Sequence, residues 1–280
     1  NADLTIARPI QALGSKSRVT LDVAGALIDG YYGRDITANS LELRLVDGMQ
    51  FTSPAVNNYL ETKVKKIAAY NSTSGDIKIS NRGDLIVGKV GSTTGITNDA
   101  SGGDVIVRVH SNLFLKAPTS TAGGDVVYTA DENITHNKNG DVTTGGGNFT
   151  GNADSDGDGT GRYFIEKGAT IYTGGSGWGN SKIIAGKWDG SDPTTLVGGQ
   201  NVIIDGDPGV IVINPGNANS YIMTGEGNIR GSAYVATQGV NCLLYAPQGS
   251  IGKALAPLNI KVVNLAAQAG NLINLYERTH

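Results

Sequence analysis

A Gly-Asp-apolar unit recurs along the chain: Gly75-Asp76-Ile77, Gly83-Asp84-Leu85, Gly103-Asp104-Val105, Gly124-Asp125-Val126 and Gly140-Asp141-Val142. Each opens or joins a short β-branched run, and repetition of one turn-plus-strand unit is the mark of a solenoid. The gaps from Gly83 to Gly103 and from Gly103 to Gly124 are 20 and 21 residues. That is the length of one coil of a parallel β-helix and too short for a helical-hairpin repeat.

The composition needed for such a fold is present. Glycine supplies 41 of 280 residues, about twice the usual ~7%, as a chain with many tight turns at positive φ requires. Only 8 prolines and no Gly-X-Y period exclude collagen. Hydrophobic residues make up 39% of the chain but aromatics only 6%, which suits a narrow core of stacked Val, Ile, Leu and Ala.

Short strands are expected at Val19–Val23, Ala26–Ile28 and Ser40–Val46 from their period-two patterning. In 57–69, Leu60, Val64, Ile67 and Ala68 also fit one face of a helix. The strand-rich flanks and the lack of a C-cap glycine favour strand. The clearest coils lie between 75 and 130, each read as two strands, a polar turn and a longer turn. The inward residues are expected to include Ile77, Ile79, Val105, Val107, Ile203, Val210 and Val212. Ten to twelve such coils at the ~4.8 Å ladder spacing would give a body roughly 50 Å long. Two stretches break the rhythm, near 137–162 and 174–192, and are expected to leave the coil as loops; the second holds both tryptophans, Trp178 and Trp188. No linker divides residues 1–280, so one elongated domain is expected.

Several segments resemble a family. The runs Asp35–Leu41, Leu60-Glu61-Thr62, Gly75–Asn81, Gly83–Gly88, Gly249–Gly252 and Ala256–Ile260 are similar to the repeat segments of large bacterial exoproteins of the filamentous-haemagglutinin kind. The likeness covers about half the chain and rests on repeat motifs. It implies a right-handed, single-stranded parallel β-helix within an exported adhesin or matrix fibre. The acidic loop near 154 and the tryptophan-bearing insertion depart from the pattern.

The net charge of −3 and the scattered Lys and Arg leave no basic footprint for nucleic acid. No apolar run approaches the ~20 residues of a membrane span. The sequence shows no signal peptide at its start, which fits a mature exported fragment or a piece of a longer protein. The single cysteine, Cys242, reads as a small buried hydrophobe.

The strongest chemical motif is Asp154-Ser155-Asp156-Gly157-Asp158-Gly159. Carboxylates at i, i+2 and i+4 with a glycine at the turn match the first half of a calcium loop, where a hard cation needs several oxygens from one short segment. The second half is imperfect, since Ile165 stands where a closing acid belongs and Glu166 follows one residue late. Asp154, Asp156 and Asp158 are therefore the candidate calcium ligands. Their repulsion is expected to leave the loop mobile until a cation binds. Arg82-Gly83-Asp84 matches the integrin-recognition triplet, but its Gly-Asp belongs to the coil repeat. Gly225–Gly231 resembles a dinucleotide fingerprint with one residue too many. His110, His136 and His280 are far apart and accompany no nucleophile motif.

These readings point to a non-catalytic, structural or adhesive segment of a secreted bacterial surface protein. Tyr31, Tyr32, Trp178 and Trp188 would contact a cell surface, polysaccharide or matrix. A filament protomer that stacks end to end is the alternative, because solenoid ends carry unpaired edges. A carbohydrate-active β-helix is the third class. It requires paired carboxylates on equivalent positions of neighbouring coils, and the sequence identifies no such pair.

Overall fold

A computed structural model describes residues 2–52, 58–206, 211–232 and 235–277. Among them there is no α-helix, only strands joined by turns and one 3-10 turn at Pro193–Thr195. The strands stack in parallel register into a β-helix.

One coil shows the plan. Ile77–Arg82 leads through the turn at Gly83-Asp84 into Leu85–Val87, and a third strand, Ile96–Ser101, closes the turn. The next coil repeats it as Val105–His110, Leu113–Leu115 and Thr119–Ala122. Three strands per coil, rather than the two expected, give the column three faces. On the first face Ile77 pairs with Val105, then Val126, then Phe149, then Ser181, then Ser220, then Cys242. The second face runs Leu85, Leu113, Ile134, Tyr163, Val202, Ile229. The third includes Leu43, Ala69, Ile96, Thr119, Val142 and Ile171, while Leu41 and Ile67, earlier on the same strands, stack under Val87 of the second.

Alternate residues of each strand point inward, as the period of two requires. Ile77, Ile79, Val105, Val107, Val109, Leu113 and Leu115 are all buried. Of the residues expected inward, Ile203 is only half-buried: Val202 and Ile204 take the core positions, opposite Tyr163 and Ile165. A run of three consecutive apolar residues has no alternation to set its phase, and the neighbouring coil decides it. Val212 is buried, and Val210 lies outside the described residues. The ambiguous 57–69 stretch forms strands Leu60–Lys63 and Lys66–Asn71.

The Gly-Asp unit has a physical role at the corners. Asp104 donates its backbone N–H to Asp76 Oδ1 at 2.9 Å, Asp125 donates to Asp104 Oδ1 at 2.8 Å, and Asn148 to Asp125 Oδ1 at 2.7 Å. The ladder continues with asparagine, Asn180 donating to Asn148, Asn219 to Asn180 and Asn241 to Asn219. A second corner repeats it, Asn112 donating to Asp84, Asn133 to Asn112 and Arg162 to Asn133. Each short acceptor but Asn219, which takes the Asn241 side-chain amide, thus satisfies a turn N–H of the coil above. Glycine before it brings the turns close: a Cβ at Gly124 would lie 2.0 Å from the carbonyl oxygen of Gly103. The motif marks all three corners, since Thr170 donates to Asp141 at the start of the third face. The 20-residue gap from Gly83 to Gly103 therefore joins different corners, and the true coil steps there are 28 and 21 residues.

The stretch 137–162, expected as one irregular loop, is mostly regular: Val142–Gly145 and Phe149–Ala153 are ordinary coil strands. Only 154–162 departs. In the second stretch Ile171–Gly175 and Ser181–Ala185 stay in the column. The larger excursion lies later, between Ala185 and Val202. It folds back as an antiparallel pair joining Lys187 to Val197 and places Trp188 and Leu196 on Ile184, Met223 and Tyr245.

Candidate functional site

The expected metal residues come together. Asp154, Asp156 and Asp158 each offer a carboxylate oxygen within 4.8 Å of the others. Their environments differ. Asp156 and Asp158 are exposed, whereas Asp154 is fully buried and sits at φ 55, in the left-handed region. Its carboxylate accepts backbone N–H groups of Gly159, Gly161 and Gly199. Gly199 belongs to the later excursion, so this one carboxylate ties together two insertions. Burial pushes its pKa up to about 6 against the lowering effect of those donors. These backbone donors set a counter-dipole against the repulsion among the acids.

A second acidic group, unmarked by any motif, lies nearer the N-terminus. Asp29, Asp35 and Glu61 also bring carboxylate oxygens within 4.8 Å of one another. Asp29 ends the strand Leu27–Asp29, Asp35 precedes Ile36–Thr37, and Glu61 lies in Leu60–Lys63. Because Ile36 pairs with Thr62, Asp35 and Glu61 stand side by side on neighbouring coils. This is the paired-carboxylate placement that sequence reasoning did not find. The signal available was a 26-residue step, visible only once the Ile36–Thr62 register is known.

The topology explains why a hollow forms here. The strand Ile77–Arg82 receives Leu60–Lys63 along its edge, while Met49 meets its start through an antiparallel bridge to Asp76 and accepts the Lys78 N–H on Sδ. The first three coils thus fork before merging into one face. A cavity of about 420 Å³ occupies the fork, lined among others by Tyr31, Tyr32, Arg34, Glu61, Arg82 and His110. Asp35 is fully buried beside it. Its Oδ2 accepts the Glu61 N–H at 2.8 Å, while its Oδ1 is buried without a hydrogen-bond partner. Desolvation and, secondarily, the charge of Asp29 push its pKa up to about 8 against the Glu61 N–H.

The other candidates are occupied by structure. Asp84 of the Arg-Gly-Asp triplet accepts Ser111 Oγ at 2.7 Å and Asn112 Nδ2 at 2.9 Å, besides the Asn112 N–H, so its carboxylate is committed to the corner ladder. Gly225–Gly231 runs into the strand Ile229–Gly231, with no helix to receive a pyrophosphate. Trp188 packs in the small second cluster, its Nε1 donating to Asp192 O and its ring facing Lys182 Nζ at 5.2 Å. Trp178 is 41% exposed against Tyr172, and Tyr32 is 76% exposed. Cys242 is buried, and desolvation raises its pKa to about 11, an inert thiol. His136 is sealed in the core, Nδ1 donating to Gly140 O at 2.9 Å and Nε2 accepting from Tyr163 Oη at 2.6 Å. His280 lies outside the described residues.

Comparison with protein-family models, with curated proteins and with solved structures finds no match.

Proposed function

We propose that the chain is a structural and adhesive segment of a secreted bacterial surface protein, a stiff column that carries a binding groove into the extracellular space. The observation that supports this is how the polar groups divide. Most corner Asp and Asn side chains are used up in coil-to-coil ladders, while exposed Tyr32 and the arginines Arg34 and Arg82 gather at the fork. Aromatic faces beside cationic and acidic groups are the chemistry that takes a polysaccharide or a matrix surface. The test is binding of the purified chain to immobilised polysaccharides and bacterial or host cells, beside a Tyr31→Ala/Tyr32→Ala variant. The variant is expected to lose binding; equal binding by both proteins overturns the assignment to the fork. The reading is also non-catalytic, although Asp35 and Glu61 are adjacent. Release of reducing ends or unsaturated sugars by the chain, lost in Glu61→Gln, would replace it with a carbohydrate-active one.

Calcium at Asp154, Asp156 and Asp158 belongs to the same proposal. With Asp154 already held by backbone donors, the exposed Asp156 and Asp158 would carry most of the coordination. Affinity should then fall in the weak range of extracellular modules, a Kd on the order of 10⁻⁴ to 10⁻³ M. Calorimetric titration of the chelator-treated chain against an Asp156→Ala variant tests it; no heat, or the same heat from both, leaves the loop as a solvated turn.

One observation favours filament assembly as a second reading. On the last coil, Leu265 pairs with Cys242 and Ile273 with Ile251, so both occupy core positions of the column. They are 43% and 47% exposed, where their partners are buried. Another coil seated there would cover them, whether it comes from further sequence of the same protein or, as this reading has it, from a second copy of the chain. Concentration-dependent rods in electron micrographs, abolished by Leu265→Lys, are the expected result; monodisperse single rods at every concentration argue against it.

A further inference from the structure

We infer that Asp29, Asp35 and Glu61 form a binding site for a calcium-like divalent cation, a second site distinct from the Asp154 loop. Asp35 is the residue that calls for a cation. Its side chain is fully buried, and Oδ1 has no donor. A buried carboxylate oxygen without a donor is costly, so something must face it. Two further carboxylates, those of Asp29 and Glu61, bring ligand oxygens within 4.8 Å of the Asp35 carboxylate. Like charges on adjacent strands destabilise a sheet. Among the described residues no lysine, arginine or histidine forms an ion pair with Asp29 or Asp35. A hard cation satisfies the oxygen and the crowding together.

The geometry suits calcium. Oxygens bound at 2.3–2.6 Å lie up to about 5 Å apart across the ion, and the three carboxylates fall within that span of one another. Ligands come from two coils, Asp29 and Asp35 from one and Glu61 from the next. Neither a contiguous loop nor a sequence motif is involved. The cation would brace the fork where Met49–Phe51 and Leu60–Lys63 diverge beneath Ile77–Arg82.

The competing account is a proton in place of the ion, shared between Asp35 and a neighbouring carboxylate. The two accounts separate experimentally. The whole chain carrying Asp156→Asn and Asp158→Asn, which silences the other acidic loop, is titrated with terbium as a calcium substitute and excited through tyrosine, since Tyr31 and Tyr32 line the same cavity. Sensitised emission is expected, displaced by calcium, and a further Asp35→Asn or Glu61→Gln should weaken binding at least about tenfold as a charged ligand is lost. Calcium should also raise the melting temperature of the parent and not of Asp35→Asn. If Asp35→Asn fails to fold, the half-buried Glu61→Gln carries the same test. Silence in the titration, or equal affinity in the parent and Glu61→Gln, overturns the cation and leaves the proton.

Discussion

From Val105 to Phe149 the coils advance by 21 and then 23 residues, whereas from Asn148 to Asn219 the same corner advances by 32 and then 39. The column runs through both regions without losing register: Phe149, Gly151 and Ala153 pair with Ser181, Ile183 and Ala185, which pair in turn with Ser220, Ile222 and Thr224. Extra residues are expelled at corners, leaving the strands intact. The two regions differ in what holds them. Regular coils are fixed by stacked apolar side chains and corner amides. Two of the insertions are pinned by a buried carboxylate that gathers donors. Asp154 holds 154–161 and Gly199. Glu42, only 2% exposed, does the same for the hairpin of Lys89–Val90 and Thr93–Thr94, accepting the backbone N–H of Ser92 and Thr93 and both hydroxyls.

The contrast predicts a hierarchy of mutational effects. Ile79, buried on the first face between Leu60 and Val107, belongs to the column. Ile79→Ala should cost about 2–5 kcal/mol, measured by denaturant unfolding, with exchange protection lost mainly in the coils on either side. Uniform loss of protection along the whole chain would mean that the coils unfold as one unit and would erase the distinction between regions.

Next in size is Asp154→Ala, which leaves the N–H groups of Gly159, Gly161 and Gly199 without their acceptor. Each buried donor left unsatisfied costs about 1–3 kcal/mol, partly relieved as water enters. The expected result is proteolytic cleavage within 154–161 and 186–199 while the strands Phe149–Ala153 and Ser181–Ala185 stay protected from exchange. Loss of protection in those strands would show that the carboxylate supports the column as well.

His136 tests the column by pH. Burial lowers its pKa to about 4, below the ~6.5 of an unfolded chain. The unfolded state then binds the extra proton, so this contribution to stability is intact above pH 6.5 and is lost as pH falls from there toward 4. The stability difference between the parent and His136→Gln should change by about 1.4 kcal/mol per pH unit in that window, since Asp154 and Asp35, whose raised values carry slopes of the opposite sign, titrate in both proteins. A difference that stays constant with pH would move the titration to another group.

Much of the column was legible in the sequence, because Gly-Asp-apolar corners and β-branched alternation are local. Ile77, Ile79, Val105 and Val107 announce their direction by period. Val202-Ile203-Ile204 does not, and there the neighbouring coil sets the phase. Coil length was misjudged for a related reason: one motif serves three corners, so distances between its copies mix full coils with fractions of one. The Asp154 cluster was readable as a contiguous motif, but not the Gly199 donor that makes Asp154 an anchor. Asp35 and Glu61 left no local trace, being brought together by register alone.

The smallest effect is expected at Glu42. Burial raises its pKa, but the hydrogen bonds from Thr93 and Ser92, with Thr20 beyond them, outweigh it and bring the value down to about 2. A group depressed in the folded state contributes stability above its unfolded pKa, here about 4.5, and loses it as pH falls toward 2. Glu42→Gln keeps the shape and some acceptor capacity while removing the charge. The cost should be about 1–2 kcal/mol, and the difference from the parent should disappear below pH 2. Because Lys89–Thr94 leaves the column and returns within one corner, its loss need not disturb Leu41 or Leu43, which stay buried on the inner side of the same strand. Exchange protection lost at Ser92 and Thr93 alone would confirm that an insertion is an attachment to the column. Protection lost at Leu41 and Leu43 too would show that the hairpin, unlike the Asp154 loop, is part of what holds the second and third faces together.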